Sequence, residues 1–202
     1  MPGLYERWSK RIAQRHGGKT GLLKHHWFVA LDRLGAYREY TNIHWDRVTR
    51  LVFVCSGNIC RSPYSEARAR ALGLPACSFG LDTHGDDPAH ETAIEIARRC
   101  GLDLSRFRST AFQADRIKSG DLLLAMEPDQ AKRLKKMLGS GPQITLLGLW
   151  HPQAQPYIHD PYSACREYFE ACFIILDESI RRISDHFTAA HGQSTQSSSL
   201  AE

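Results

Sequence analysis

The sequence predicts an α/β fold, a four-stranded parallel sheet with helices on both faces, carrying an N-terminal helical extension. Three observations support this class. Short apolar runs alternate with stretches of helix length and helix periodicity. Their order, β-α-β-α-β-α-β-α, calls for crossover connections and therefore parallel strands. The composition, 42% hydrophobic and 24% charged over 202 residues, is that of a chain able to bury one ordinary core. In such a sheet, ligands bind at the carboxyl ends of the strands.

Each element has its own signal. Residues 51–54, Leu-Val-Phe-Val, form a buried strand, and residues 62–72 supply strong helix formers from Glu66 to Ala71. Residues 76–79 form a second short strand. Pro88 opens the next helix, with Ala93, Ile94, Ala97 and Cys100 on one face and Gly101 as its stop. Residues 121–126 make the third strand, followed by a basic helix to Gly139, and residues 143–147 the fourth. A long helix is expected from Tyr162 onward, with Tyr168, Cys172, Ile175 and Ile180 among its apolar positions. Its polar, Ser/Gln-rich end, residues 189–202, reads as a disordered tail.

Charge divides the chain near residue 50. Residues 1–50 hold ten Lys/Arg against Glu6, Asp32, Glu39 and Asp46, while the whole chain is only +4. Three of the four Trp, at 8, 27 and 45, also lie there. Residues 1–48 thus form a basic, aromatic-rich extension, and residues 49–188 a separate domain. Two helices are expected in the extension, over residues 2–16 and 22–40, broken at Gly17-Gly18. Leu4, Trp8 and Ile12, and Leu23, Trp27 and Leu31, make stripes that need a cover. Packing on the body is the simpler use of these stripes. The alternative is a membrane surface or a protein partner. The basic charge and aromatics are weak grounds for nucleic acid. His25-His26 and Cys55-x4-Cys60 lack converging partners at ligand spacing, so no metal and no cofactor is expected. No apolar run approaches a membrane span or a secretory signal, so a cytoplasmic protein with reduced thiols is expected.

The segment that carries chemistry follows the first strand: Cys55-Ser-Gly-Asn-Ile-Cys-Arg61-Ser62-Pro63. A Cys six positions before an Arg is uninformative alone, since six Cys and 19 Arg give about 0.6 such pairs by chance. Cys100 and Arg106 form a second pair, read as a helix end with a buried thiol. Around Cys55 the context is different. The Cys sits at a strand's carboxyl end, and Gly57 lets the loop curl so that successive N–H groups face one point. Ser62 suits an N-cap and Pro63 the first helical position, so a helix N-terminus adds its positive end there. The fork of Arg61 matches two phosphate oxygens. Such a pocket binds a dianion and favours a thiolate over the free thiol, whose ordinary pKa is about 8.5. Downstream, Pro161 holds Asp160 in an extended loop on the same rim, where it can give a proton to a leaving oxygen.

The loop from Cys55 to Ser62, followed far downstream by Asp160-Pro161-Tyr162, resembles the low-molecular-weight protein tyrosine phosphatases over roughly residues 49–188. The resemblance implies metal-independent hydrolysis of tyrosine-phosphorylated proteins through a phosphocysteine. It assigns Cys55 as nucleophile, Arg61 as phosphoryl clamp and Asp160 as general acid and then base. Ser56, Gly57, Asn58, Ile59, Cys60 and Ser62 complete the phosphate-binding loop. Asn58 fixes its shape and the Ser62 hydroxyl serves the sulfur. Cys60 would be the redox partner of Cys55, and Tyr162 a wall for the substrate ring. Three positions depart from the family: no aromatic stands near Asp82, Thr83 and His84, Arg106 replaces a His, and Ser163 replaces a second Tyr. Two other classes fit parts of the pattern. One is a thioredoxin-coupled arsenate reductase, which needs further Cys on a mobile segment. The other is a phosphate-binding module docked by its basic extension.

Overall fold

Four strands, β1 (Arg50–Cys55), β2 (Ala76–Gly80), β3 (Asp121–Ala125) and β4 (Gln143–Leu146), form one sheet in the order β2-β1-β3-β4, and every pairing is parallel. The structure is a computed structural model and describes residues 3–192. Both faces of the sheet are covered, which explains why the strands are continuous apolar runs rather than alternating ones. Leu51, Phe53, Leu122 and Leu124 point into a core shared with α3 (Arg61–Ala71), α4 (Glu91–Arg99) and α6 (Arg166–Gly192). Val52, Val54, Leu123 and Ala125 point the other way, toward α5 (Pro128–Leu138) and α2 (Lys19–Arg33). The strand order reverses between β1 and β3. Their carboxyl ends, Cys55 and Ala125, therefore flank a crevice of the kind that holds ligands in this class of sheet.

The extension begins with α1 (Leu4–His16), which packs against α6 and α2, with Gln14 donating to Glu167 at 3.1 Å. Gly17 ends α1 in the left-handed conformation at φ 71°, as a helix stop requires. The second helix begins and ends earlier than expected, spanning Lys19–Arg33. Its stop is Gly35 at φ 83°, where the N–H of Ala36 reaches back to the carbonyl of Leu31. Phe28 and Leu31 of α2 pack on the sheet, while Leu23 and Trp27 stay exposed. Among the described residues no helix is long and apolar enough to cross a membrane.

Other boundaries also need correction. The helix expected from Pro88 starts at Glu91, because the ring of His90 accepts the N–H of Thr92 as an N-cap and Pro88 bridges to Arg108 instead. The helix expected from Tyr162 starts at Arg166, since the chain after Pro161 first closes a turn in which Ala164 donates to the carbonyl of Pro161. That helix continues to Gly192, so residues 189–192 are helical rather than a tail. The remainder of the expected tail, residues 193–202, lies outside the described residues. Cys100, expected buried, is exposed just past the end of α4.

Candidate active site

At the carboxyl end of β1 the chain turns through residues 56–60 and enters α3 at Arg61. This turn is held from several sides. Asn58 alone among its residues takes a left-handed backbone, φ 53°, and its side chain is fully buried. Its Nδ2 donates to Ser62 Oγ (2.8 Å) and Ser78 Oγ (2.9 Å), and its Oδ1 accepts the N–H of Thr110 (2.7 Å). Ser78 in turn donates to Glu66 at 2.6 Å. The sequence pattern credited Gly57 with the tight curl. A Cβ there would meet only the Ile59 side chain at 3.5 Å, so the demanding conformation belongs to Asn58. The glycine that the turn does require is Gly80, at the end of β2, where a Cβ would lie 2.7 Å from the Ser56 carbonyl and 3.0 Å from Asn58.

Ser62 is not the cap of α3, which begins one residue earlier; its hydroxyl faces the sulfur of Cys55 at 3.0 Å. The N–H of Asn58 also points at that sulfur, at 3.2 Å. Cys55 is thus a buried thiol met by a backbone N–H and a hydroxyl at the N-terminus of an 11-residue helix. Cys60, also buried, differs: burial, the Asp160 carboxylate and Cys55 push its thiol far above the ordinary range. It rests as a neutral thiol beside the loop.

Arg61 is 1% exposed and is surrounded by acceptors. Nη1 donates to Glu127 Oε1 (2.7 Å) and to the Ile158 carbonyl (2.8 Å), and Nη2 to Asp160 Oδ2 (2.7 Å). Its Nε, equally buried, has no hydrogen-bond partner among the described residues. The carboxylates of Asp160 and Glu127 and the Cys55 sulfur outweigh the desolvation that disfavours the guanidinium, so its pKa is raised. Asp160 stands at the rim, where its other oxygen accepts the N–H of Tyr162 at 3.2 Å.

These groups line a cleft of about 380 Å³, bounded by Cys55, Ser56, Gly57, Ile59, Cys60 and Arg61 at its floor. Asp82, Thr83, His84, Asp87, Asp160 and Tyr162 form its walls. Tyr162, 60% exposed, is the aromatic of the rim and meets His90 edge-on at 5.6 Å. Asp82 is neutralised by Arg133 at 2.7 Å, which also lowers its pKa. All the site residues expected from the sequence therefore meet at one cleft, apart from Asn58 and Ser62, which brace its floor from beneath. Arg106 is exposed, and Ser78 and Thr110 hold Asn58. Glu127, Glu66, Ser78 and Thr110 were not anticipated. Only Glu127 had a local signal, an acid directly after a buried strand that ends beside β1.

The arrangement can bind a tetrahedral dianion over a sulfur, between a guanidinium fork and a carboxyl group. Known proteins with this pattern are numerous. The family model for low molecular weight phosphotyrosine protein phosphatase matches residues 50–192. A putative low molecular weight protein-tyrosine-phosphatase of Klebsiella pneumoniae is 32% identical over 133 residues, covering 64% of this chain and 90% of that protein. The probable low molecular weight protein-tyrosine-phosphatase AmsI of Erwinia amylovora is 32% identical over 139 residues, covering 67% and 94%. The crystal structure of the tyrosine phosphatase Wzb from Escherichia coli K30 with sulphate superimposes with a TM-score of 0.64 at 30% identity, covering 68% of this chain and 97% of that one.

Proposed function

Because the chain belongs to the low molecular weight phosphotyrosine protein phosphatase family, we propose that it hydrolyses phosphotyrosine in proteins through a phosphocysteine formed on Cys55. The observation that carries this reading is the Cys55 sulfur, held by the Asn58 N–H and Ser62 hydroxyl at the floor of a cleft shared with Arg61 and Asp160. The phosphoryl group of the substrate lies over the loop N–H groups, and two of its oxygens take the fork of Arg61 through Nε and Nη2. This transfers Nη2 from Asp160, freeing that carboxyl group to face the leaving oxygen.

The thiolate attacks phosphorus in line, the S–P bond forms, and the O–P bond to the tyrosine breaks. Asp160, released from Arg61, takes up a proton from solvent and passes it to the departing phenolic oxygen. In the second half, the Asp160 carboxylate takes a proton from water, the oxygen attacks phosphorus, and the S–P bond breaks. Inorganic phosphate leaves and the Ser62 hydroxyl receives the thiolate. Tyr162 offers its ring as a wall for the phosphotyrosine ring. Glu127 keeps Nη1 of Arg61 aligned and is a positioning residue. Under oxidation Cys60 traps Cys55 as a disulfide. The chemistry needs Cys55 as a free thiol, which fits the reducing, cytoplasmic setting proposed for the chain.

The test is Cys55→Ser, which removes the thiolate but keeps the loop. Turnover falls below detection while phosphate or vanadate still binds, and trapping of the wild-type enzyme during turnover finds phosphorus on Cys55. Turnover at the wild-type rate, or phosphorus on another residue, overturns the reading.

Residues 1–48 we propose as a docking extension. Six of the large exposed apolar side chains, Leu4, Tyr5, Trp8, Leu23, Trp27 and Leu34, lie on α1, α2 and the residue after it. Arg7, Lys10, Arg11, Arg15 and Arg33 beside them make no ion pair among the described residues. Apolar rings framed by unpaired cations match an anionic membrane surface. The full chain should sediment with vesicles containing phosphatidylglycerol and lose this on adding salt. Equal behaviour with neutral vesicles, or none with either, would count against the proposal.

A further inference from the structure

The residues before Asp160 are held from two opposite sides. Ile158 and Asp160 face the active site, Ile158 through its carbonyl to Arg61 and Asp160 through its carboxylate to the same guanidinium. Tyr157 and His159 face the extension. There the backbone of the α1–α2 joint sits directly on the imidazole of His159. A Cβ on Gly17 would lie 2.5 Å from its Cδ2, and a Cβ on Gly21 would lie 3.0 Å from it. Further along α2, Phe28 stacks on Tyr157 with ring centroids 5.2 Å apart and planes 26° apart. Lys24 also stands over that ring at 5.3 Å. The two held residues are tied together by a 2.7 Å hydrogen bond between Tyr157 Oη and His159 Nδ1. Tyr168 of α6 completes the hold by donating to the His159 carbonyl at 3.2 Å.

We infer that the α1–α2 pair is a positioning element for Asp160, acting through Phe28 on Tyr157 and through Gly17 and Gly21 on His159. The inference rests on the proposed role of Asp160 as general acid. Both helices precede residue 50, where the family match begins, so this brace is an addition to the family's domain. Its physical basis is the steepness with which proton transfer depends on placement. A displacement of about 1 Å of a reacting group costs up to about 100-fold in rate. Asp160 itself has little to hold it beyond Arg61 and the Tyr162 N–H, and it gives up Arg61 when the dianion binds. What then fixes its position is the backbone of Tyr157–His159, and that backbone is clamped from the side of the extension.

The experiment uses the full chain and reads kcat/KM on two substrates. Phosphotyrosine has a leaving oxygen that needs a proton, whereas p-nitrophenyl phosphate has one that hardly does. Phe28→Ala should lower kcat/KM for phosphotyrosine about ten-fold or more while leaving p-nitrophenyl phosphate within about two-fold. Phe28→Tyr, which keeps the stack, should restore it. Tyr157→Phe, which keeps the packing and removes only the bond to His159, should show a smaller loss of the same selective kind. In an Asp160→Ala background Phe28→Ala should add nothing, because the group it positions is gone. Equal losses on both substrates, or full additivity with Asp160→Ala, would mean that the extension merely supports the fold and would overturn the inference. So would an undiminished rate in Phe28→Ala. Failure of the underlying reading is a separate result: Asp160→Ala alone would then show no preference between the two leaving groups.

Discussion

Replacing Asn58 by Ala tests how the loop beneath the sulfur keeps its shape. Three hydrogen bonds vanish, two donated by Nδ2 and one accepted from the Thr110 N–H. Ser62 keeps its contact with Cys55, and Ser78 keeps its bond to Glu66, so neither hydroxyl is stranded. The Thr110 N–H is stranded, and a half-buried donor without a partner costs about 1–3 kcal/mol. A further ~1 kcal/mol comes from forcing Ala into the left-handed conformation that Asn58 holds at φ 53°. The sum is about 3 kcal/mol, less than the stability of an ordinary domain, so the variant remains folded. Urea unfolding followed by Trp fluorescence measures it. Asn58→Gly, which accepts the backbone angle, should recover about 1 kcal/mol of the loss and none of the hydrogen bonds. Because the Asn58 N–H is one of the two groups on the sulfur, kcat/KM should fall about ten- to a hundred-fold in both variants. A destabilisation below about 1 kcal/mol with unchanged kcat/KM would refute the view that this side chain sets the loop.

Glu127→Gln removes a negative charge beside Arg61 while keeping an acceptor for Nη1; inorganic phosphate should then bind about five-fold more tightly, an effect on the order of 1 kcal/mol. Weaker phosphate binding, measured as an inhibition constant, would argue against the electrostatic reading. Hydrogen peroxide should inactivate the wild-type enzyme reversibly, by converting Cys55 to a sulfenic acid that Cys60 captures with loss of water. In Cys60→Ser the uncaptured sulfenic acid stays open to a second equivalent of peroxide, which carries it to the irreversible sulfinic level. Dithiothreitol should therefore restore less activity than in the wild type; equal recovery in the two proteins would remove Cys60 from the process. Acid should loosen the extension. Burial, with His16 and His26 close by, lowers His25 to about 4, and burial lowers His16 and His159 as well. A folded-state pKa below the unfolded value means that stability is complete above about pH 6.5 and declines as pH falls toward 4. The urea midpoint should therefore drop between pH 7.5 and 4.5, and the drop should shrink in His25→Gln; an unaltered drop would show that His25 is not responsible.

The sheet and the loop after β1 were legible in the sequence because their signals are local. A buried strand, a turn and a helix start are adjacent in the chain, and Asp160-Pro161 announces an extended rim segment. Helix boundaries were harder where an unusual group decides them. His90 caps α4 through its ring, and Pro88, the conventional signal, is drawn into a bridge with Arg108. Asp160-Pro161-Tyr162 is followed by a turn that delays α6 to Arg166. Cys100 lies just past the end of α4, where it is exposed, although its spacing matches the buried face. The supports of Asn58 and Arg61 were illegible for a different reason. Ser78, Thr110, Glu127 and Ile158 reach the loop from 20 to 97 residues away, through strand pairing and crossovers that no window of sequence contains.

The pairing of the first helix with the last has a consequence for biosynthesis. At roughly 5–20 residues per second, the ribosome delivers the start of α6 about 8–30 s after α1 is complete, since about 150 residues separate them. Throughout that interval α1 lacks the α6 face it packs against, and its stripe of Leu4, Trp8 and Ile12 is carried on the nascent chain without that partner helix. The first helix thus completes its docking only after the last helix has been made.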